Sequence, residues 1–507
     1  MAIRVEAGRP SVYWLVGIAA FALISRYASL TREFISGDEG TFMLLAQDAL
    51  RGYLPYVNLF DNKPPGIFFA VAAAMRCFGE SLAVVRLFGG VCAAVCGCLA
   101  FLICRRFAGI TASGVAAALM LAAASNSFGQ FAASEWPALV LLEGGLLLML
   151  RFGENRWSTV AAGFCISLAV LFRTNIAIVA VATGLLYLVA LRHRDLRLHR
   201  WGAPFYGLGA VVPMAALAAV YGLADRLLLL WLSAVIVPLS YAGGQHSIAY
   251  NVLTLLSDVF SAAFTLPGGF APFAVLTGFG AVIWRRRFRT ALTATVERRD
   301  GVIVLAVFAA VFVSVLCGGV FYAHYFLLLM PFMAVATAIC LDEVRFSLRS
   351  IRYVVAIVGL SLTVVYFLPR AGEMLFFPEK IADGYHIRKA AGAIAADRQP
   401  GQVWATKYNL IYFYLHALPP TPLAAQPDSI VRPSIVAPLI AAGRASHDEY
   451  GRILQMAPRY IVGEAKGNPP YVPDYIHGGQ AAAYAKLIRE RYNLWFRDGP
   501  VAVYRRK

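Results

Sequence analysis

Apolar residues fill positions 11–368 in repeated runs of 15 to 20, separated by short polar breaks. A helix of that length matches the hydrocarbon thickness of a bilayer. The pattern predicts spans over 11–30, 82–104, 109–129, 137–150, 159–172, 176–191, 203–223, 269–284, 302–320, 324–341 and 351–368, about eleven in all. The apolar stretch 66–78 is short and follows Pro64-Pro65, which predicts a helix lying on or dipping into the membrane surface. Residues 225–267 mix an apolar piece (Leu227–Leu239), a polar loop (Tyr241–Asn251) and an amphipathic piece. They read as a long outer segment with membrane-hugging helices, although two extra spans would leave the topology unchanged.

The pattern changes after Pro369. Residues 383–398 repeat apolar positions Ile387, Ala390, Ala391 and Ile394 at helical spacing, and 402–406 and 459–462 read as strands. Ser446 opens a helix to Met456, and Asp498-Gly499 joins 494–497 to 501–504 as a hairpin. The fold class is therefore a polytopic α-helical membrane protein with outer-face amphipathic helices and a small C-terminal α/β domain. The boundary falls at residues 368/369.

Charge orients the spans. The chain is 60% hydrophobic and 14% charged, with a formal net charge of +17. That charge is not one patch, so a nucleic-acid partner is rejected. It lies in short loops at alternate span ends: Arg105-Arg106, Arg151 with Arg156, Arg192 to Arg200, Arg285 to Arg289, and Arg345 to Arg352. Basic loops mark the cytoplasmic side. With Arg4 and Arg9 inside, the N-terminus is cytoplasmic, the 38–63 loop is outside and the C-terminal domain is extracytoplasmic. The first apolar run has no small-residue cleavage site, so it is expected to remain as a span. The eight cysteines, between residues 77 and 340, show no metal-ligand spacing and read as small packing residues.

Two polar stretches stand out in this apolar chain: Ile35-Ser36-Gly37-Asp38-Glu39-Gly40, and Leu59-Phe60-Asp61-Asn62-Lys63-Pro64-Pro65-Gly66. Ser36 and Glu39 fit a capping box for the amphipathic segment Phe42–Leu50, which leaves Asp38 unexplained. Lys63 can snorkel at the surface or serve as a point charge for a lipid phosphate. Glu135, before another span, can be a helix-dipole charge.

An apolar span, Asp-Glu, an amphipathic helix ending Gly52-Tyr53-Leu54-Pro55-Tyr56, then Asn-Leu-Phe-Asp-Asn-Lys-Pro-Pro-Gly resembles the GT-C membrane glycosyltransferases. Within them it is most similar to the bacterial protein mannosyltransferase and lipid A aminoarabinose transferase group. The resemblance implies sugar transfer from a polyprenyl-phosphate donor to a hydroxyl of a lipid, glycan or protein acceptor, on the outer face of the inner membrane. It assigns Asp38 as catalytic acid/base with Glu39 beside it, and Lys63 as the donor-phosphate contact. His324-Tyr325 matches a late outer-loop position and joins the phosphate contacts; Arg173, at the outer end of a span, either snorkels or adds a further phosphate contact. Asp61, Tyr56 and Glu135 follow as substrate contacts. Glu135 departs from the aspartate many relatives carry, and Thr41 and Phe42 depart from an aromatic or Arg, so no role transfers to those two. Arg226 likewise either snorkels or meets phosphate, and His246, in the polar outer loop, is either substrate-facing or solvated. No cofactor is certain; a divalent cation on Asp38, Glu39 or Glu135 would be held through oxygens.

Chemistry follows from the assignment. A carboxylate takes the acceptor hydroxyl's proton as it attacks the anomeric carbon, in a single displacement that inverts it. The phosphate leaving group needs charge stabilisation, which a lysine supplies. Two other classes compete: a glycan ligase or polymerase using a polyprenyl-diphosphate donor, and a transporter. A transporter predicts ionisable residues in mid-span and inverted repeats, and neither stands out.

Overall fold

A computed structural model of the chain describes residues 9–125, 127–243, 270–290, 295–318, 322–344, 383–397, 401–465 and 478–507, with short pieces between 247 and 257. The span expected at 351–368, the boundary at 368/369 and His246 lie outside the described residues.

The described helices follow the apolar runs. In chain order they are α1 (Arg9–Ile24), α2 (Tyr27–Thr31), α3 (Gly37–Leu50), α4 (Gly66–Phe78), α5 (Leu82–Cys104), α6 (Ile110–Ala124), α7 (Ser127–Gln130), α8 (Glu135–Phe152), α9 (Arg156–Val170), α10 (Ala177–Ala190) and α11 (Gly202–Leu223). Next come α12 (Leu227–Trp231) and α13 (Val237–Gly243), joined through a π-helical turn at Leu232–Ile236, then α14 (Phe270–Thr290), α15 (Thr295–Leu316) and α16 (Met330–Val344). Among the described residues four helices are long and apolar enough to cross a membrane: Ser11–Thr31, Leu82–Cys104, Gly202–Leu223 and Arg298–Leu316. Five shorter apolar helices accompany them: Gly66–Phe78, Ile110–Ala124, Arg156–Val170, Thr174–Ala190 and Leu227–Gly243.

The short helix α4 illustrates how its sequence sets it. Proline lacks an N–H and presets φ, so Pro64-Pro65 suits a helix start. Pro65 is the N-cap, and Gly79 closes the other end at φ +97°, a left-handed value that suits glycine. Only one face is buried, through Ile67, Phe68, Val71, Ala72 and Met75. Helix α3 departs from expectation. It is buried continuously from Glu39 to Asp48, not on one face.

The chain forms two compact units. One comprises Met1–Tyr27, Leu87–Ala219 and His246–Phe377; the other comprises Ala28–Arg86, Val220–Gln245 and Pro378–Lys507. In the first, α9 meets α11 backbone to backbone. A Cβ on Gly163 would lie 2.1 Å from Tyr206 O, and one on Gly209 1.9 Å from Val160 O. Small residues permit such approach where water supplies no driving force between helices.

The second unit contains α17 (His386–Ala396), α18 (Leu410–Leu415), α19 (Pro433–Ala441), α20 (Glu449–Gln455), α21 (Gly478–Arg491) and a four-stranded sheet. Its strands β1 (Val403–Ala405), β2 (Tyr460–Glu464), β3 (Tyr492–Asp498) and β4 (Val501–Arg506) lie in the order β1-β2-β4-β3. β1 and β2 are parallel, and the other pairs are antiparallel. The expected β3–β4 hairpin forms, but Asp498 ends β3 and pairs with Val501, so the turn is Gly499-Pro500, with a register shift between Leu494 and Phe496. Helix α20 begins later than expected: Asp448, not Ser446, is the N-cap, its Oδ1 accepting from the Gly451 N–H at 2.8 Å. An aspartate accepts as readily there as serine. The two ends of this unit are stitched together around Glu33. Its carboxylate accepts from the Ile387 and Arg388 N–H groups at 2.6 and 2.7 Å, at the positive end of α17. Asp383 reciprocates by accepting from Glu33 N–H at 2.7 Å.

Candidate active site

The second unit brings Asp38, Asp61 and Lys63 together. Ser36, in extended conformation, caps α3, and its Oγ accepts from the Asp38 N–H at 3.3 Å. This places the Asp38 carboxylate in the first helical turn, where exposed N–H groups favour negative charge. Lys63 Nζ lies 3.1 Å from Asp38 Oδ1 and 3.6 Å from Asp61 Oδ1. The same ammonium sits 5.2 Å from the centroid of the Phe42 ring. The Lys63 and Asp38 side chains keep 14% and 18% of their surface open, whereas Asp61 is closed off.

The loop that carries Lys63 is braced from within. Tyr56, at a left-handed φ of +73°, is buried, and its hydroxyl donates to Lys63 O at 2.5 Å. Tyr221 donates to Pro55 O at 3.2 Å, and Arg444 to Tyr56 O at 3.1 Å. Asn58 bonds both oxygens of Asp48, and the Phe60 N–H reaches Pro422 O at 2.9 Å. Tyr56 therefore reaches Lys63 through its main chain and presents almost no surface of its own.

Asp61 Oδ1 accepts from the Asn62 N–H at 2.7 Å, while its Oδ2 is buried without a hydrogen-bond partner among the described residues. Burial pushes its carboxyl above the ordinary range, against the pull of Lys63 and with the help of Asp38. A raised folded value means that the native state holds this proton more tightly than the unfolded chain. The resulting stability is present in full below the ordinary value of 3.8 and is lost as pH rises through the folded value. Asp61→Asn removes that loss. Its melting temperature relative to wild type is expected to climb as pH rises above the ordinary value of 3.8; a difference independent of pH in thermal unfolding would contradict the assignment.

Glu39 turns away from this cluster. Its carboxylate is buried against Arg86, with Nε 3.1 Å from both oxygens and NH2 2.7 Å from Oε2. Arg86 also donates to the carbonyls of Ser29, Arg32 and Glu33, three groups at the end of α2 and just beyond it. All five guanidinium N–H groups are thus employed. Arg86 was overlooked in the sequence, though it is the one charged residue in the apolar run 82–104. An ionisable residue in such a run is itself a signal.

Residues far along the chain complete the Asp38 environment. Gln426 Nε2 donates to Asp38 Oδ1 at 3.1 Å, and Thr41 bonds Gln426 Oε1. Buried Asn409 donates to Gly37 O at 2.9 Å, Thr41 Oγ1 at 2.8 Å and Ala425 O at 3.0 Å. A Cβ at Gly40 would lie 2.5 Å from Asn409 Oδ1, so this approach requires glycine. Neither Gln426 nor Asn409 carries a local sequence signal.

The first unit gathers Glu135, Arg173, His324 and Tyr325. Glu135 stands in the first turn of α8, and Arg173 precedes the short 3-10 turn Thr174–Ile176. Arg173 NH1 lies 3.0 Å and His324 Nε2 3.6 Å from Glu135 Oε1. The Arg173 guanidinium stands 4.4 Å over the Tyr325 ring, and Tyr322 stacks on His324 at 5.4 Å. Arg226, in the second unit, is exposed immediately before α12. Among the described residues no group of three or more His, Cys, Asp or Glu is placed to hold a metal ion.

Comparison with known proteins agrees with this architecture. Residues 62–221 match the family model described as dolichyl-phosphate-mannose-protein mannosyltransferase. No curated protein matches the chain in sequence. Among solved structures, ArnT from Cupriavidus metallidurans bound to undecaprenyl phosphate is similar at TM-score 0.60 and 14% identity, over 97% of this chain and 98% of that one. Its apo form gives TM-score 0.61 and 15% identity with the same coverage. The Archaeoglobus fulgidus oligosaccharyltransferase in complex with zinc and sulfate gives TM-score 0.50 and 13% identity, over 89% of this chain and 68% of that one. The chain is thus a multi-pass membrane protein that shares its fold with ArnT, and its residues 62–221 match the dolichyl-phosphate-mannose-protein mannosyltransferase model.

Proposed function

We propose that this protein transfers a sugar from a polyprenyl-phosphate donor to a hydroxyl of a lipid, glycan or protein acceptor, at the outer face of the inner membrane. The observation that carries the reading is the Lys63 ammonium held 3.1 Å from Asp38. A cation and a base stand side by side, and both remain partly open. The mannosyltransferase family match and the undecaprenyl phosphate bound by the similar ArnT structure support the lipid-linked donor.

Asp38 takes the proton of the acceptor hydroxyl as its oxygen bonds to the anomeric carbon. The bond from that carbon to the phosphate oxygen breaks, and the electron pair leaves with the polyprenyl phosphate. A second negative charge develops there, and Lys63 stabilises it. The displacement inverts the anomeric centre. Donor phosphate draws Lys63 from Asp38, so donor entry also leaves the base less neutralised. Glu39, occupied by Arg86, acts through the placement of α3. Asp61 holds Lys63 in reach, and Tyr56 fixes the Lys63 main chain. In the first unit, Arg173 and His324 both approach the Glu135 carboxylate, and the Arg173 guanidinium stands over the Tyr325 ring. The grouping suits Arg173, His324 and Tyr325 to phosphate contact and Glu135 to substrate.

Lys63→Ala is expected to raise the KM for an undecaprenyl-monophosphate sugar about 10- to 100-fold, the worth of one charge-assisted hydrogen bond. Steady-state transfer to extracted envelope lipids, glycans and proteins measures it. An unchanged donor KM, or preference for the diphosphate donor in parallel assays, would overturn the reading.

A further inference from the structure

We infer that Gln426 is a positioning residue for Asp38: its side-chain amide, keyed by Thr41 and Asn409, holds the carboxylate in its reactive orientation. The inference rests on the proposed role of Asp38 as base and adds a part of the chain that the motifs do not include. Gln426 lies 388 residues beyond Asp38, in an extended conformation between two short 3-10 turns, Pro422–Ala425 and Pro427–Val431. Prolines begin both turns, and main-chain bonds from Gln426 N–H to Leu423 O and from Ser429 N–H to Gln426 O close them at 3.2 and 2.9 Å. The backbone that presents the amide is therefore stiff.

The amide is also oriented. An ionised carboxylate only accepts hydrogen bonds, so the NH2 of Gln426 must face Asp38 Oδ1, 3.1 Å away. Its carbonyl oxygen then faces the Thr41 hydroxyl, which donates to it. Thr41 accepts in turn from Asn409 Nδ2 at 2.8 Å, and its one proton faces Gln426 Oε1 as the nearest of three acceptors, the others being Gly37 O at 3.1 Å and Ala425 O at 3.2 Å. Thr41 stands three residues after Asp38 on α3, on the same helix face. Asn409 anchors the relay, its two Nδ2 protons shared among Thr41 Oγ1, Gly37 O and Ala425 O.

The chemistry explains why an amide suits this place. Lys63 Nζ and Gln426 Nε2 both meet Asp38 Oδ1, at 3.1 Å each. When donor phosphate draws Lys63 away, the amide stays. It carries no charge, so it fixes the carboxylate's plane without cancelling the charge that makes Asp38 a base. Precise placement of a reacting group contributes substantially to rate.

The test compares Gln426→Ala and Gln426→Met in two backgrounds, using the undecaprenyl-phosphate-linked sugar that the wild-type protein turns over. With Asp38 intact, each variant is expected to lower kcat about 10- to 100-fold, with donor KM within about twofold of wild type. The acid limb of the kcat profile is expected to move up by about 1 pH unit, because the ionised form has lost a donor. In the Asp38→Asn background the same substitutions are expected to change the residual rate less than about twofold. Equal fold-losses in both backgrounds, or an unmoved acid limb, would overturn the positioning role and indicate a purely structural one. Asp38→Asn transferring sugar at the wild-type rate would instead overturn the reading of Asp38 as base, so the two failures are told apart.

Discussion

Asp38→Asn is expected to lower sugar transfer by roughly a hundred- to ten-thousand-fold at saturating donor. The substitution keeps the shape of the side chain and removes its charge and basicity. The surrounding frame should persist. Ser36 caps α3 through the Asp38 main-chain N–H, which the substitution leaves in place. Gln426 can still donate to the amide oxygen of the new side chain. Lys63 retains Asp61 at 3.6 Å. The rate loss should therefore come with a small change in melting temperature and near-normal donor KM. Single-turnover transfer, alongside thermal unfolding in detergent, measures both. A rate within about threefold of wild type in a folded protein would remove Asp38 from the mechanism.

Arg86→Ala carries the largest expected effect on stability. The Arg86 and Glu39 side chains are almost wholly buried, so removing the guanidinium strands a carboxylate with no water to solvate it. Breaking a buried pair in this way costs about 3–5 kcal/mol. Three carbonyls, those of Ser29, Arg32 and Glu33, lose their donor as well. Arg86→Lys should recover little, since one ammonium cannot span a carboxylate and three carbonyls held by a planar fork. Glu39→Gln placed on Arg86→Ala should restore part of the stability by removing the stranded charge. Thermal unfolding of the single and double variants decides. A single variant within about 1 kcal/mol of wild type would show that the pair is not the brace described. Activity is expected to fall with stability, because Glu39 adjoins Asp38 at the start of α3.

The helices were legible because burial in a membrane protein leaves a local trace. Leu82–Cys104 begins and ends where its apolar run does, and Gly66–Phe78 starts where two prolines permit a helix and ends at a glycine. Asp498-Gly499 similarly announced the β3–β4 hairpin. These features depend on neighbours within a few residues, and a pattern of apolar period and turn chemistry records them. The polar motifs likewise singled out Asp38, Asp61 and Lys63, since charge is scarce around them.

What the sequence by itself determined, then, is which segments are helical and which short polar stretches hold the chemistry. Only the tertiary structure decided the partners. Ser36 and Glu39 suggested one local capping box, yet Glu39 belongs to Arg86, 47 residues away. The amphipathic reading of Phe42–Leu50 failed because α3 is enclosed, with Asn409 and Gln426 from the C-terminal segment closing over its first turns. Gln426 itself is an ordinary glutamine between two prolines in sequence, and becomes a candidate positioning group only through a contact made 388 residues from its partner. The physical reason is the same in each case. Local pattern encodes how a segment must bury its apolar surface, whereas a buried charge or amide takes whichever distant group satisfies it, and that choice is made only when the chain is packed.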